Sequence, residues 1–202
     1  MDTKSVNKRR EILKAAAELF AASGYRGTTV AAIAERVGLS DAGVLHHFKH
    51  KEALLMAVLQ DYARSVDATI ERSGARGIEL LRLVREWGAG MEARPEVSAL
   101  LIALTSEFLT RDAPVRRSLQ VSYRHGLDRY IAAFATAAAA GDLRADLDPV
   151  AEAAGLIAHM DGIRLQWFLL DKSFSMADSV RRYVDDALMR LAPVDGRGAR
   201  RR

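Results

Sequence analysis

Residues Thr28 to Lys51 read TTVAAIAERVGLSDAGVLHHFKHK, and their spacing calls for two short helices crossing over a shared apolar core. Ile33, Val37, Leu39 and Val44 are apolar where such helices meet, and Ala34 is small where their backbones approach. Gly38 falls in the connection, where a tight turn needs a left-handed residue and glycine adds no steric cost. Thr29 and Ser40 stand where a hydroxyl can satisfy the unpaired N–H groups of the two helix starts. A helical hairpin that only packs shares part of this pattern. The number and coordination of the matches favour a helix-turn-helix, with the second helix, about Asp41 to His47, reading the DNA major groove.

With 202 residues, half of them apolar, the chain can bury a sizeable core in one large or two small domains. It has no cysteine, which excludes disulfides, thiolate metal sites and thiol redox switching. The start MDTKSVNKRR lacks an apolar signal region, and the run Tyr130 to Ala140 is too short to span a bilayer. A soluble, cytoplasmic protein with no membrane partner is expected. Charge is divided unevenly: residues 1–52 hold nine Lys/Arg against six Asp/Glu, residues 193–202 four against one, and residues 53–192 seventeen against nineteen. A basic head on a near-neutral body suits docking of one end on phosphates.

The remaining pattern is helical throughout, without strand-like alternation or repeats. Ile12, Ala16, Leu19 and Phe20 form one face of a first helix ending near Ser23 and Gly24; a long fourth helix starts at Lys51 and reaches about Arg72. Leu80, Val84, Trp87 and Met91 stripe a fifth, and prolines 95, 114 and 149 open the next three. A last helix runs from about Ser175 to Leu191. The fold class is all-α, with about nine helices.

The order RREILKAAAELFAASGY, TTVAAIAERVG, a short helix ending in HHF, then KEALL, makes residues 9–59 resemble the N-terminal domain of the TetR family of bacterial transcriptional regulators. The resemblance implies an N-terminal three-helix DNA-binding domain (1–50), a C-terminal helical ligand-binding and dimerising domain (51–192), and a disordered basic tail (193–202). It also implies DNA contacts. Thr28, Thr29 and Lys51 would meet phosphate, with Ser40 as the cap. Asp41, Ala42, Gly43 and His46 would face bases, with His47 nearer the backbone. Leu45 stands in this contact set where members commonly have a tyrosine, Gly43 where threonine is commoner, and His50 where Ser or Asn usually caps the fourth helix. His46 and His50 are four apart, but the turn between them and the flanking lysines argue against a metal. No cofactor is expected.

Trp87, Met91, Leu104, Thr105, Phe108, Tyr123, Tyr130, Met160 and Trp167 lie on helices that the family plan wraps around a small-molecule pocket; each alone is equally an ordinary core residue. Glu107 and Asp161 stand beside them. Gly155, Ala158, Gly162 and Leu169 share a close-approach face of the eighth helix. Val180, Val184 and Leu188 stripe the ninth, and in the family these two helices form a homodimer interface. The implied function is a homodimeric repressor released from a palindromic operator in double-stranded DNA by a small apolar or amphipathic effector. The alternative is a DNA-binding dimer that answers to a protein partner or to no ligand. No nucleophile–base pair or phosphate loop supports an enzyme.

Overall fold

The computed structural model describes residues 3–110 and 114–193. Its elements are α1 (Thr3–Gly27), α2 (Val30–Arg36), α3 (Asp41–His47), α4 (Lys51–Ser73), α5 (Gly77–Leu83), a 3-10 turn (Val84–Glu86), α6 (Trp87–Glu92), α7 (Pro95–Phe108), α8 (Pro114–Ala139), α9 (Pro149–Leu169) and α10 (Met176–Arg190). Every regular element among the described residues is helical, as the periodicity requires. The stretch expected as one fifth helix is α5, the 3-10 turn and α6 in succession. The expected tail lies, from Val194 onward, outside the described residues.

The chain forms two compact units, Met1–Thr69 with Arg94–Ser122, and Ile70–Ala93 with Tyr123–Arg202. The first unit thus runs past residue 50. Leu54, Leu55 and Val58 of α4, Leu100, Leu104 and Phe108 of α7, and Val115 of α8 share one buried cluster with Ile12, Phe20, Ile33 and Val44. A three-helix head would leave those faces in water, whereas full burial of each such side chain contributes about 1.5–3 kcal/mol. The head therefore recruits the first part of α4 and all of α7.

In the second unit, side chains define the helix starts. Asp148 accepts from the N–H groups of Val150 (2.9 Å) and Ala151 (3.3 Å), with Pro149 in the first turn of α9. At α10, Ser175 accepts from Asp178 N–H at 3.0 Å, while the Glu92 carboxylate accepts from Met176 and Ala177 N–H. Three of the N–H groups that open α10 are thus satisfied by two side chains. Val180 and Val184 are buried as α10 packs on α6 and the 3-10 turn. These two valines, expected to face a second subunit, instead fill the core of their own unit.

Gly155 also has an intrachain duty, since a Cβ there would lie 3.4 Å from the Tyr183 hydroxyl. Tyr183 stacks on His159 with ring centroids 3.9 Å apart. Burial holds the His159 pKa below its ordinary value and that of Tyr183 above. Beside them the Arg190 guanidinium grips Glu152 at 2.9 and 2.7 Å, which holds that carboxyl below its usual range.

Gly88 is where α6 comes closest to α10: a Cβ would sit 2.7 Å from Ala177 Cα and 2.8 Å from the Met176 carbonyl oxygen, both backbone. Gly88→Ala is expected to destabilise the protein by about 1–3 kcal/mol, because the helices must separate and loosen the Glu92 cap. Urea denaturation measures this. An unchanged midpoint would show that the contact relaxes freely.

Candidate nucleic-acid interface

The helix-turn-helix is assembled from α2 and α3. The Thr29 hydroxyl accepts from Ala32 N–H at 3.1 Å, and the Ser40 hydroxyl from Gly43 N–H at 3.2 Å. Gly38 takes the left-handed conformation (φ 66°) that reverses the chain between them. Ile33, Ala34 and Val44 are buried at the crossing. Phe48 follows as a second anchor, buried, with the Arg9 guanidinium 4.8 Å from its ring centre. Arg36 pairs with Glu18 at 3.0 Å, and the Lys8 ammonium donates to the Val37 carbonyl at 3.5 Å. These contacts fix both short helices against α1.

With Val44 and Phe48 turned inward, α3 presents Asp41, Ala42, Leu45 and His46 to solvent. Gly43 and His47 are partly covered, and the two histidine rings meet edge to face at 5.7 Å. Thr29 and Ser40 are exposed on the same motif. This is a short, polar, convex edge backed by a rigid apolar base, the form that fits a groove of DNA.

Two residues expected to meet phosphate have other duties. Thr28 is buried, and its hydroxyl is held 3.0 Å from the Leu19 carbonyl and 2.8 Å from that of Gly24. Its side chain bonds the kinked end of α1, where Gly24 (φ 67°) breaks the helical run. Lys51 points back into the unit: its ammonium donates to the carbonyls of Tyr25 and Thr28, both at 2.8 Å, and lies 4.4 Å from the centre of the Tyr25 ring. Its positive charge caps carbonyls that the end of α1 leaves unpaired. His50 performs the capping its position implied, with Nδ1 accepting from Ala53 N–H at 3.1 Å.

Sequence reasoning missed the centre of this arrangement. Tyr25 packs between Phe20 (5.8 Å) and Phe108 (5.5 Å), and its N–H donates to Glu107 at 3.2 Å. Burial, then the nearby Glu52 and Glu107 charges, push the Tyr25 hydroxyl pKa up. Glu107, expected beside a ligand, braces the end of α1 and pairs with Arg26 at 3.6 Å. The signal available was the tyrosine itself, an aromatic placed just after a helix-ending glycine.

The expected pocket residues divide between the units. Leu104 and Phe108 are buried in the head cluster, and Thr105 is exposed on α7 with its hydroxyl bonded to the Leu101 carbonyl at 2.8 Å. In the second unit Met91, Met160 and Trp167 are buried, Trp87 and Tyr130 half-buried, and Tyr123 exposed. The Trp167 indole N–H donates to the Phe174 carbonyl at 3.0 Å, which closes the α9–α10 turn. Ala158 and Leu169 are exposed on α9, Gly162 partly so, and Leu188 is half-buried on α10. The described residues contain no cluster of three metal-type ligands and no helix long and apolar enough to cross a membrane.

An all-α chain carrying a capped helix-turn-helix on a basic head is a DNA-binding regulator by fold and site. The chain belongs to the TetR family of bacterial regulatory proteins: residues 12–58 match the family's N-terminal model and residues 79–193 the model of the BetI-type transcriptional repressor C-terminal region. It is 27% identical over 196 residues to the transcriptional regulator TtgR of Pseudomonas putida, covering 92% of each chain. Solved structures that share its fold include two ligand complexes. The regulator FadR of Bacillus subtilis in complex with stearoyl-CoA superposes with a TM-score of 0.77 at 18% identity, covering 89% of this chain and 96% of that one. A regulator of Saccharomonospora viridis in complex with choline gives 0.78 at 23% identity, covering 91% and 96%.

Lys51→Ala removes two charge-assisted bonds from partly buried carbonyls and is expected to lower stability by about 2–3 kcal/mol. Denaturation of the isolated protein measures that loss; a change in DNA affinity alone would restore the phosphate role. Gly43→Ala should act in the opposite sense. A Cβ at 43 meets only ordinary contacts, the nearest at 3.4 Å, so stability should rise by about 0.5–1 kcal/mol. DNA affinity should fall if the added methyl, beside the exposed edge of α3, obstructs its approach to a groove. Parallel denaturation and DNA titration separate the two effects.

Proposed function

We propose that this protein is a homodimeric, sequence-specific repressor that binds a palindromic operator in double-stranded DNA and is released by a small apolar or amphipathic ligand held in its second unit. The observation that carries the reading is the exposed edge of α3, Asp41, Ala42, Leu45 and His46, set on a helix whose Val44 is locked in the core. His46 is the side chain on that edge best suited to bonding a base, while Asp41 is placed to reject or accept by charge. Lys49 stands exposed beside the motif as a phosphate partner.

Dimerisation is supported by large apolar side chains left in water on one face of α9, where Leu165 and Leu169, one turn apart, are 45% and 70% exposed. Apolar surface grouped in this way is expected of an association face. Two-fold pairing would present two α3 helices to half-sites one helical turn apart. Ligand control is supported by the relatives solved with stearoyl-CoA and with choline. A ligand releases DNA only if it binds one dimer conformation better than the other.

Selection of bound sequences from a random duplex library by the full-length protein tests the reading. A palindrome should emerge. His46→Ala should relax preference at one position per half-site, costing about 1–3 kcal/mol of discrimination. Leu169→Glu should yield monomer and lose the symmetric motif. No enriched sequence from a verified folded dimer at low salt would overturn the DNA reading.

A further inference from the structure

Within the head unit, α1, α4 and α7 leave a groove of about 180 Å³ between them. Leu13, Val58, Leu59 and Leu100 are buried along its floor, so the base is apolar. Its rim is charged. Arg10 and Lys14 reach it from α1 and Arg94 from the start of α7, with Asp61 and Glu96 as the opposing carboxylates. Asp61 is already matched by Arg64 at 3.3 Å, outside the lining. Among the described residues, the Lys14 and Arg94 side chains have no hydrogen-bond or ion-pair partner. The rim therefore carries a surplus of unanswered positive charge over an apolar floor.

Size restricts the occupant. An apolar cavity of about 150 Å³ holds one benzene ring, so this groove matches a single ring or a short chain. We propose that it is a binding site for a small amphipathic anion, an aromatic or short-chain carboxylate of about the size of benzoate. The apolar part lies on Leu13 and Leu100, and the carboxylate turns toward Lys14 and Arg94. A neutral ring would gain the floor but leave the rim unanswered; an ammonium would be repelled. The site is distinct from any ligand site in the second unit, and it borders the two helices, α1 and α4, whose ends hold α2 and α3.

Methyl NMR of the full-length protein, with Leu and Val methyls carbon-13 labelled, tests the proposal without using DNA, so its outcome is independent of the operator reading. Benzoate should shift the methyls of Leu13, Val97 and Leu101 saturably, and benzylamine should not. In the Lys14→Gln/Arg94→Gln double variant, whose changes are confined to the exposed rim, benzoate affinity should fall about 25-fold, roughly fivefold for each of the two charge-assisted contacts removed. Ala17→Phe, which fills the groove from α1, should erase the shifts while the rest of the methyl spectrum stays native. The proposal is overturned if benzoate leaves these methyls unmoved, if benzylamine shifts them equally, or if the double variant binds benzoate as tightly as the parent.

Discussion

The head unit depends on the placement of one ammonium group. Lys51 opens α4, where the helix dipole disfavours a cation, yet its charge reaches back to the Tyr25 and Thr28 carbonyls and the Tyr25 ring. Two charge-assisted bonds and a ring face outweigh the dipole cost, which falls to a few tenths of a kcal/mol near solvent. The link between α1 and α2 is thereby fixed to the start of α4. Tyr25 extends the same knot to α7 through Phe108 and Glu107.

What the knot supports could not stand alone. Helices α2 and α3 have seven residues each, well below the length at which an isolated helix is stable in water. Their order comes from outside: Thr29 and Ser40 supply the caps, and Val44 and Phe48 supply the burial. Thr28 matters here as a buried fastener. With its hydroxyl on the Leu19 and Gly24 carbonyls, the next residue, Thr29, is delivered in the extended conformation that a cap requires. A reader helix held in this way keeps its outer residues free of structural duty.

The parts of this protein legible in the sequence are those governed by neighbours in the chain. The caps at Thr29, Ser40 and His50, the turn at Gly38 and the proline openings of α7, α8 and α9 follow from local rules, and each has the expected geometry. The roles of Lys51 and Glu107 were not legible, since their partners lie more than twenty residues away in the chain, and Thr28 is fastened to Gly24 and Leu19 only because α1 kinks there. A lysine opening a helix beside a DNA-reading motif resembles a phosphate contact until the carbonyls it faces are known. Val180 and Val184 show the same limit. A stripe on a terminal helix can face either its own unit or a second subunit, and only the packing of α10 on α6 decides between them.

Charge counted along the chain also overstates the charge available to DNA. Of the nine basic residues in the first 52, Lys51 is turned onto carbonyls, Arg36 is held by Glu18, Lys8 by Glu11, and Arg9 lies over Phe48. These cations order the motif, and pairing with carboxylates or carbonyls lessens what each would gain by meeting a phosphate. The side chains left outward on or beside α3, His46 and Lys49, are few. On the proposed reading, counterion release from so small a set would give modest nonspecific affinity, and discrimination would rest more heavily on the fit of the α3 edge than on electrostatic grip.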